Sequence, residues 1–257
     1  VSWNEVCSVA VRYQRYAKYS TPAGLARVAG VELPFLVLAA VFGPAAAGLY
    51  ALTNRVLGLP ATLIGGAVSQ VFTSNAAEAY RTGSLGSLVR EVHLKMAQIG
   101  LPPVLLLMLL GPELFMVIFG ENWTQAGVFA RWMGPWLYLV FVSSSLTTIT
   151  AVMERQKQGL FFHLSLLTAR AIALYIGVWI GDLLITVMIL SVVSALWRFV
   201  FLLWISRLSG NPITFIIKDT FWSGLKAFFC VIPVVFSLIF YMSSGPFSLA
   251  LSIVLIA

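Results

Sequence analysis

Apolar residues run along this chain in long unbroken blocks, such as 101–110 and 227–241, separated by short polar or Gly/Pro-containing links. A membrane-crossing helix needs about 20 mainly apolar residues, whereas strands of a membrane barrel are segments of about 10 residues with alternating polarity. Continuous blocks therefore predict an all-α fold, a polytopic transmembrane helical bundle of about eight spans. The spans fall at 23–42, 46–72, 94–119, 127–150, 160–180, 183–206, 226–242 and 246–257, the last of them incomplete. The stretch 73–91 carries Ala76, Ala77, Tyr80, Leu85, Leu88 and Val89 at spacings of one to five, with Arg81 and Arg90 between them. It reads either as an amphipathic piece on the headgroups or as a solvated loop. Asn211-Pro212 interrupts the chain after the sixth span, and 212–222 could form a second interfacial stretch.

The links alternate in charge. Phe42–Pro44, Gly120–Ala126, Gly181–Asp182 and Ser243–Pro246 contain no Lys or Arg. The others carry Arg12, Arg15 and Lys18, then Arg81, Arg90 and Lys95, then Arg155 and Lys157, then Arg207 and Lys218. Cytoplasmic links concentrate Lys and Arg, so the N-terminal segment is expected in the cytoplasm and the Phe42–Pro44 link outside. The domains are expected as a cytoplasmic linker segment (1–22), a six-helix transmembrane bundle (23–206), a cytoplasmic link (207–225) and a terminal helix pair (226–257).

Composition strengthens this reading. The 257 residues are 60% hydrophobic and 10% charged, with a mean hydropathy of +0.95, against about 25% charged residues in soluble domains. The net charge of +7 is accounted for by the cytoplasmic links, so a nucleic-acid partner is not expected. Cys7 and Cys230 stand alone and form no disulfide or metal framework. The chain opens without Met on a polar, basic stretch and stops inside an apolar block, which leads us to expect a C-terminal-half fragment of a longer transporter.

No catalytic set assembles from the sequence. His93 and His163 both fall at predicted cytoplasmic ends of spans, where amphipathic rings are common. No HExxH, P-loop or GxSxG is present, no metal ligands cluster, and neither a cofactor nor a metal is expected. Charges inside the spans are the better signal. Glu32, Arg55, Arg170 and Arg198 sit within spans, and Arg27 lies nearer the cytoplasmic face. An ionised group at bilayer depth costs from about 2.5 to over 10 kcal/mol and so faces a polar cavity, finds a partner or snorkels. Arg27 and Arg198 lie close enough to span ends to snorkel. Arg55 and Arg170 lie about ten residues inside. Four arginines against one acid suggest an anion arriving from outside the protein, because guanidinium holds phosphate in a bidentate fork. The competing reading is a static bridge between Arg55 and Glu32.

The stretch from Tyr19 to Gly83 carries Tyr19-Ser20-Thr21-Pro22, Leu33-Pro34, Phe42-Gly43-Pro44, Ala47-Gly48-Leu49-Tyr50, Arg55-Val56-Leu57 and Leu59-Pro60, in that order. Gly65 to Gln70, Val71-Phe72 and Ala77-Glu78-Ala79 follow. In order and spacing this resembles the second half of Wzx-type O-antigen and polysaccharide flippases, within the superfamily of multidrug and oligosaccharidyl-lipid exporters. Beyond it, Phe119-Gly120-Glu121-Asn122-Trp123 is similar to the family's outer loop. The resemblance implies the second bundle of a two-bundle exporter in the bacterial inner membrane, moving undecaprenyl-diphosphate-linked oligosaccharide outward by alternating access. It implies partners too: the lipid-linked oligosaccharide, membrane lipids and the polysaccharide polymerase machinery. Arg55 stands at a family-like position for holding diphosphate, Arg170 matches no motif of the family, and Glu32 departs from an expected uncharged residue. A drug exporter of the same superfamily would want a cation-binding acid pair. A membrane-embedded ligase or acyltransferase would want catalytic residues in a sizeable outer loop, and every outer link here is short.

Overall fold

The structure, a computed structural model, describes residues 3–244, with side chains from Lys18 to Val235 apart from Ile213 and Val234. Within these bounds the protein is a bundle of eight α-helices without a strand. They are α1 (Trp3–Phe42), α2 (Pro44–Arg81), α3 (Leu85–Phe119), α4 (Thr124–Ser144), α5 (Ile149–Val152), α6 (Gln156–Ile180), α7 (Leu183–Leu208) and α8 (Ile213–Ser244). A single 3-10 turn, Glu121–Trp123, precedes α4. Six segments among the described residues are long and apolar enough to cross a membrane, beginning with Lys18–Phe42 and ending with Leu183–Leu208. They correspond to the first six predicted spans. The seventh falls inside α8, and the eighth, 246–257, lies outside the described residues, as do the side chains of Arg12 and Arg15.

Large apolar side chains cover the outer surface: Trp179 is 81% exposed and Leu63 71%. In water such a surface would be an aggregation liability, but against lipid tails it is the expected solvent boundary. This is an integral membrane protein.

Several links are tighter than the hydropathy pattern suggests. Residues 73–91 form neither a loop nor a separate interfacial piece. They extend α2 and α3, which meet at Thr82–Ser84, and bury Ala76, Ala79, Leu85 and Val89 while Tyr80 stays exposed. The amphipathic spacing was real, but its apolar side faces protein. Residues 3–22 of the expected linker likewise continue α1 as helix. The turn at Gly43 requires a φ of 89°, and Gly181 closes α6 at φ 80° with its amide on the Gly177 and Val178 carbonyls; both conformations suit glycine. Asp182 then caps α7 by accepting from the Ile185 amide at 2.7 Å.

Two clusters of buried residues hold the bundle. One gathers Phe72, Met96, Phe141, Leu146, Phe201 and Phe215 toward the links rich in Lys and Arg. The other gathers Leu38, Phe115, Phe129, Met133, Leu174 and Leu190 toward the opposite end. Small residues bring helices into direct contact, as membrane bundles require. Gly127 lies against the backbone of Gly111 and Pro112, at a kink where Leu110 leaves helical geometry (φ −118°). Gly111-Pro112 is thus a packing device inside α3, whereas Gly43-Pro44 starts α2.

The C-terminal part of the fourth predicted span unwinds. Helix α4 stops at Ser144, and the chain turns through Ser145–Thr148 into the single turn of α5. Here Ser143, Ser144 and Thr147 donate to the carbonyls of Val140, Phe141 and Ser144. Such local bonds compete with helix propagation. Irregular backbone at membrane depth is tolerated where it is buried or lines a polar cavity, and both conditions hold here.

Candidate functional site

Helices α1, α2, α4, α6 and α7 surround a cavity of 510 Å³. All five intramembrane charges singled out in the sequence line it: Arg27 and Glu32 from α1, Arg55 from α2, Arg170 from α6 and Arg198 from α7. Residues separated by up to about 170 positions in sequence thus share one space. Phe35, Tyr50, Leu59, Trp136, Leu137 and Leu166 make the remaining wall largely apolar, which strengthens any electrostatic interaction within it.

The four arginines are held differently. Arg170 is buried to 4% exposure and donates to the Gly30 carbonyl and, at 3.0 Å, to Ser194 Oγ. Its guanidinium carbon stands 4.8 Å from the Trp136 ring centre. One side chain therefore ties α6 to α1, α7 and α4. No carboxylate lies within ion-pair distance of it among the described residues, whose three ion pairs are Arg90–Asp219, Lys95–Glu91 and Arg131–Glu113. Arg55 and Arg27 are exposed to the cavity, and neither is paired. The bridge between Arg55 and Glu32 is absent: both side chains are exposed and more than 4 Å apart. Arg198 does not snorkel out of the bundle. It lies near Phe201, at 5.6 Å, with a buried Nε that lacks a hydrogen-bond partner. Four guanidinium groups and one carboxylate leave a formal excess of three positive charges around the cavity.

A second chamber of 660 Å³ adjoins the first and shares Arg27, Ala61, Thr62, Val140, His163 and Arg198 with it. His163, expected at an interface, belongs to this shared wall. His93 is buried within the bundle: it is 1% exposed, packs edge-on against Phe215 and contacts Thr220 Oγ1 at 3.2 Å. That contact and the Arg90–Asp219 pair dock α8 onto α3. The sequence reading missed Asp219 as a buried carboxylate because 212–222 read as interfacial. It also passed over the unwound hydroxyl run after Ser144, whose composition Ser-Ser-Ser-Leu-Thr-Thr-Ile-Thr was the available signal.

Residues 2–127 match the family model for polysaccharide biosynthesis proteins. No curated protein and no solved structure matches the chain. The family match spans α1 to the start of α4 and includes Arg27, Glu32 and Arg55, but stops short of Arg170 and Arg198. It contains the stretch from Tyr19 to Gly83 that carries the flippase resemblance. Together with six membrane-length helices, it supports a polysaccharide-related membrane protein.

Proposed function

We propose that this chain is the second bundle of a flippase that carries undecaprenyl-diphosphate-linked oligosaccharide across the bacterial inner membrane, a Wzx-type transporter without covalent chemistry of its own. One observation carries the reading. A cavity among the membrane-length helices holds four arginines and a single carboxylate among the described residues, none of these arginines is ion-paired there, and the Arg55 fork faces open space. Burying such charge without counter-charge is costly, and a diphosphate headgroup would offset it with bidentate, charge-assisted hydrogen bonds. A cationic drug would be repelled by the same wall.

In this reading the ends rich in Lys and Arg face the cytoplasm. The cavity opens alternately to either side as this bundle rocks against a partner bundle, and the lipid tail stays in the bilayer. Ligand-induced stabilisation of the purified full-length protein tests it. Undecaprenyl diphosphate at about 100 times its dissociation constant should add about 2.7 kcal/mol by mass action, and ethidium-like cations should add nothing. A shift with the cations and none with the lipid would favour a drug exporter, and covalent turnover of the lipid would favour an enzyme.

A further inference from the structure

The second chamber differs from the first in chemistry. Its wall has no aromatic residue apart from His163, and it is built from Ala, Gly and hydroxyl side chains, with Ser20, Thr62, Thr147, Thr148, Thr150 and Gln156 around it. It exists because α4 unwinds after Ser144, which turns Thr147 and Thr148 off the helix axis beside the start of α6.

The bonding of these hydroxyls restricts what can bind. Thr62, Thr147 and Thr150 donate to the carbonyls of Leu59, Ser144 and Thr147 at 2.9, 2.9 and 3.1 Å. Each hydroxyl has one proton and two lone pairs, so once the proton is committed the oxygen can only accept. Thr148 lies 3.1 Å from the Thr73 hydroxyl, which also reaches the Ser69 carbonyl at 2.7 Å. A ligand that satisfies Thr62, Thr147 and Thr150 must therefore bring donors of its own. Phosphate, an acceptor only, can pair with Arg27 and Arg198 but leaves these threonine oxygens without a donor. An ammonium group would supply one, but Arg27 and Arg198 line the same chamber and oppose it. Hydroxyl groups of a sugar satisfy both conditions, because each donates to the threonine oxygens and accepts from guanidinium or the Gln156 amide. The volume lies within the range of about 300–1,000 Å³ typical of small-molecule sites.

We propose that this chamber is the glycan site of the transporter, holding an uncharged or acidic sugar portion while the adjoining arginine cavity holds the diphosphate. Thr147 and Thr148 are its recognition residues. The inference rests on the flippase reading and adds to it the substrate part that each chamber takes. The shared wall of Arg27, His163 and Arg198 marks where diphosphate ends and sugar begins.

Site-specific protection separates the two claims. In the full-length protein, with all other cysteines replaced, maleimide labelling is followed at Asn54→Cys, in the arginine cavity, and at Thr147→Cys, in the hydroxyl chamber. The probes are undecaprenyl diphosphate and the undecaprenyl-diphosphate-linked oligosaccharide purified from cells that make the polysaccharide. The glycosylated lipid should slow labelling at both positions, and the sugar-free lipid only at Asn54→Cys. In the otherwise native protein, Thr147→Val with Thr148→Val should weaken binding of the glycosylated lipid by about tenfold, the loss of one or two hydrogen bonds, and leave the sugar-free lipid unaffected. Protection of Asn54→Cys alone by the glycosylated lipid would overturn the glycan site and leave the flippase reading standing. Equal protection of Thr147→Cys by both lipids would also overturn it. Failure of either lipid to protect Asn54→Cys would remove the flippase reading and the glycan site with it.

Discussion

Arginines of the same cavity do different work, and their surroundings decide which. Arg55 has no ion-pair partner to lose among the described residues, so Arg55→Ala should leave unfolding free energy in detergent within about 0.5 kcal/mol of wild type, as at ordinary exposed positions. The same change in the full-length protein should abolish surface polysaccharide at near-normal protein abundance. Arg55→Lys should recover only part of it, because a point charge replaces a fork. Since Glu32 does not bridge to Arg55, the pair Glu32→Gln with Arg55→Gln should fail to restore transport; restoration would show that their coupling, and not ligand binding, matters. Arg170 is the contrasting case. Its two hydrogen bonds and the Trp136 contact join four helices, and hydrogen bonds to charged groups are worth about 1.5–3 kcal/mol each. Arg170→Ala should therefore lower stability by at least about 2 kcal/mol, measurable by denaturation in detergent. A loss of transport in that variant would reflect a loosened bundle as well as a lost charge.

At the scale of elements, close helix approach is set by glycines whose missing Cβ leaves room for another backbone. A Cβ on Gly127 would meet the Gly111 carbonyl and Pro112 Cα, and neither backbone can yield cheaply. Gly127→Ala should destabilise the α3–α4 pair by about 1–3 kcal/mol, the usual cost of overpacking. Gly48→Ala, with nothing within 4 Å, should be neutral or stabilising by up to about 1 kcal/mol from helix propensity. Thermal unfolding of the two variants side by side checks the contrast. Element boundaries were legible where glycine, proline and charge punctuate the chain, as at Gly43-Pro44 and Gly181-Asp182. They were not legible after Ser144, because hydropathy does not register hydroxyls that bond back to their own carbonyls. The segment 73–91 misled in the other direction, since a helix face packed on protein and one packed on headgroups have the same spacing.

For the whole molecule, the alternation of charged and uncharged links fixes an expected orientation. Single cysteines at Ala45 and Asn122 should label from outside intact cells, while cysteines at Ser84 and Gln156 should label only after permeabilisation. The opposite pattern would place the hydroxyl chamber on the far side of the membrane and reverse the direction of loading. The structure supports the grouping of the ends: Asn211 donates to the Gly86 carbonyl at 2.9 Å, so the α7–α8 link lies beside the α2–α3 turn.

Sequence alone determined the all-helical membrane fold, the identity of the first six spans and the five intramembrane charges, because transfer to lipid is a local property of about 20 consecutive residues. It could not determine which of those charges meet. Arg27, Glu32, Arg55, Arg170 and Arg198 share a cavity because of helix packing, and packing depends on where small residues permit contact across the bundle. The same dependence decided that Arg55 stands apart from Glu32, that Arg170 is a structural tie and that His163 joins the cavity wall. It also decided that a run of serines and threonines opens a second chamber. Each of these is a distance between residues remote in sequence, and only tertiary structure fixes such distances.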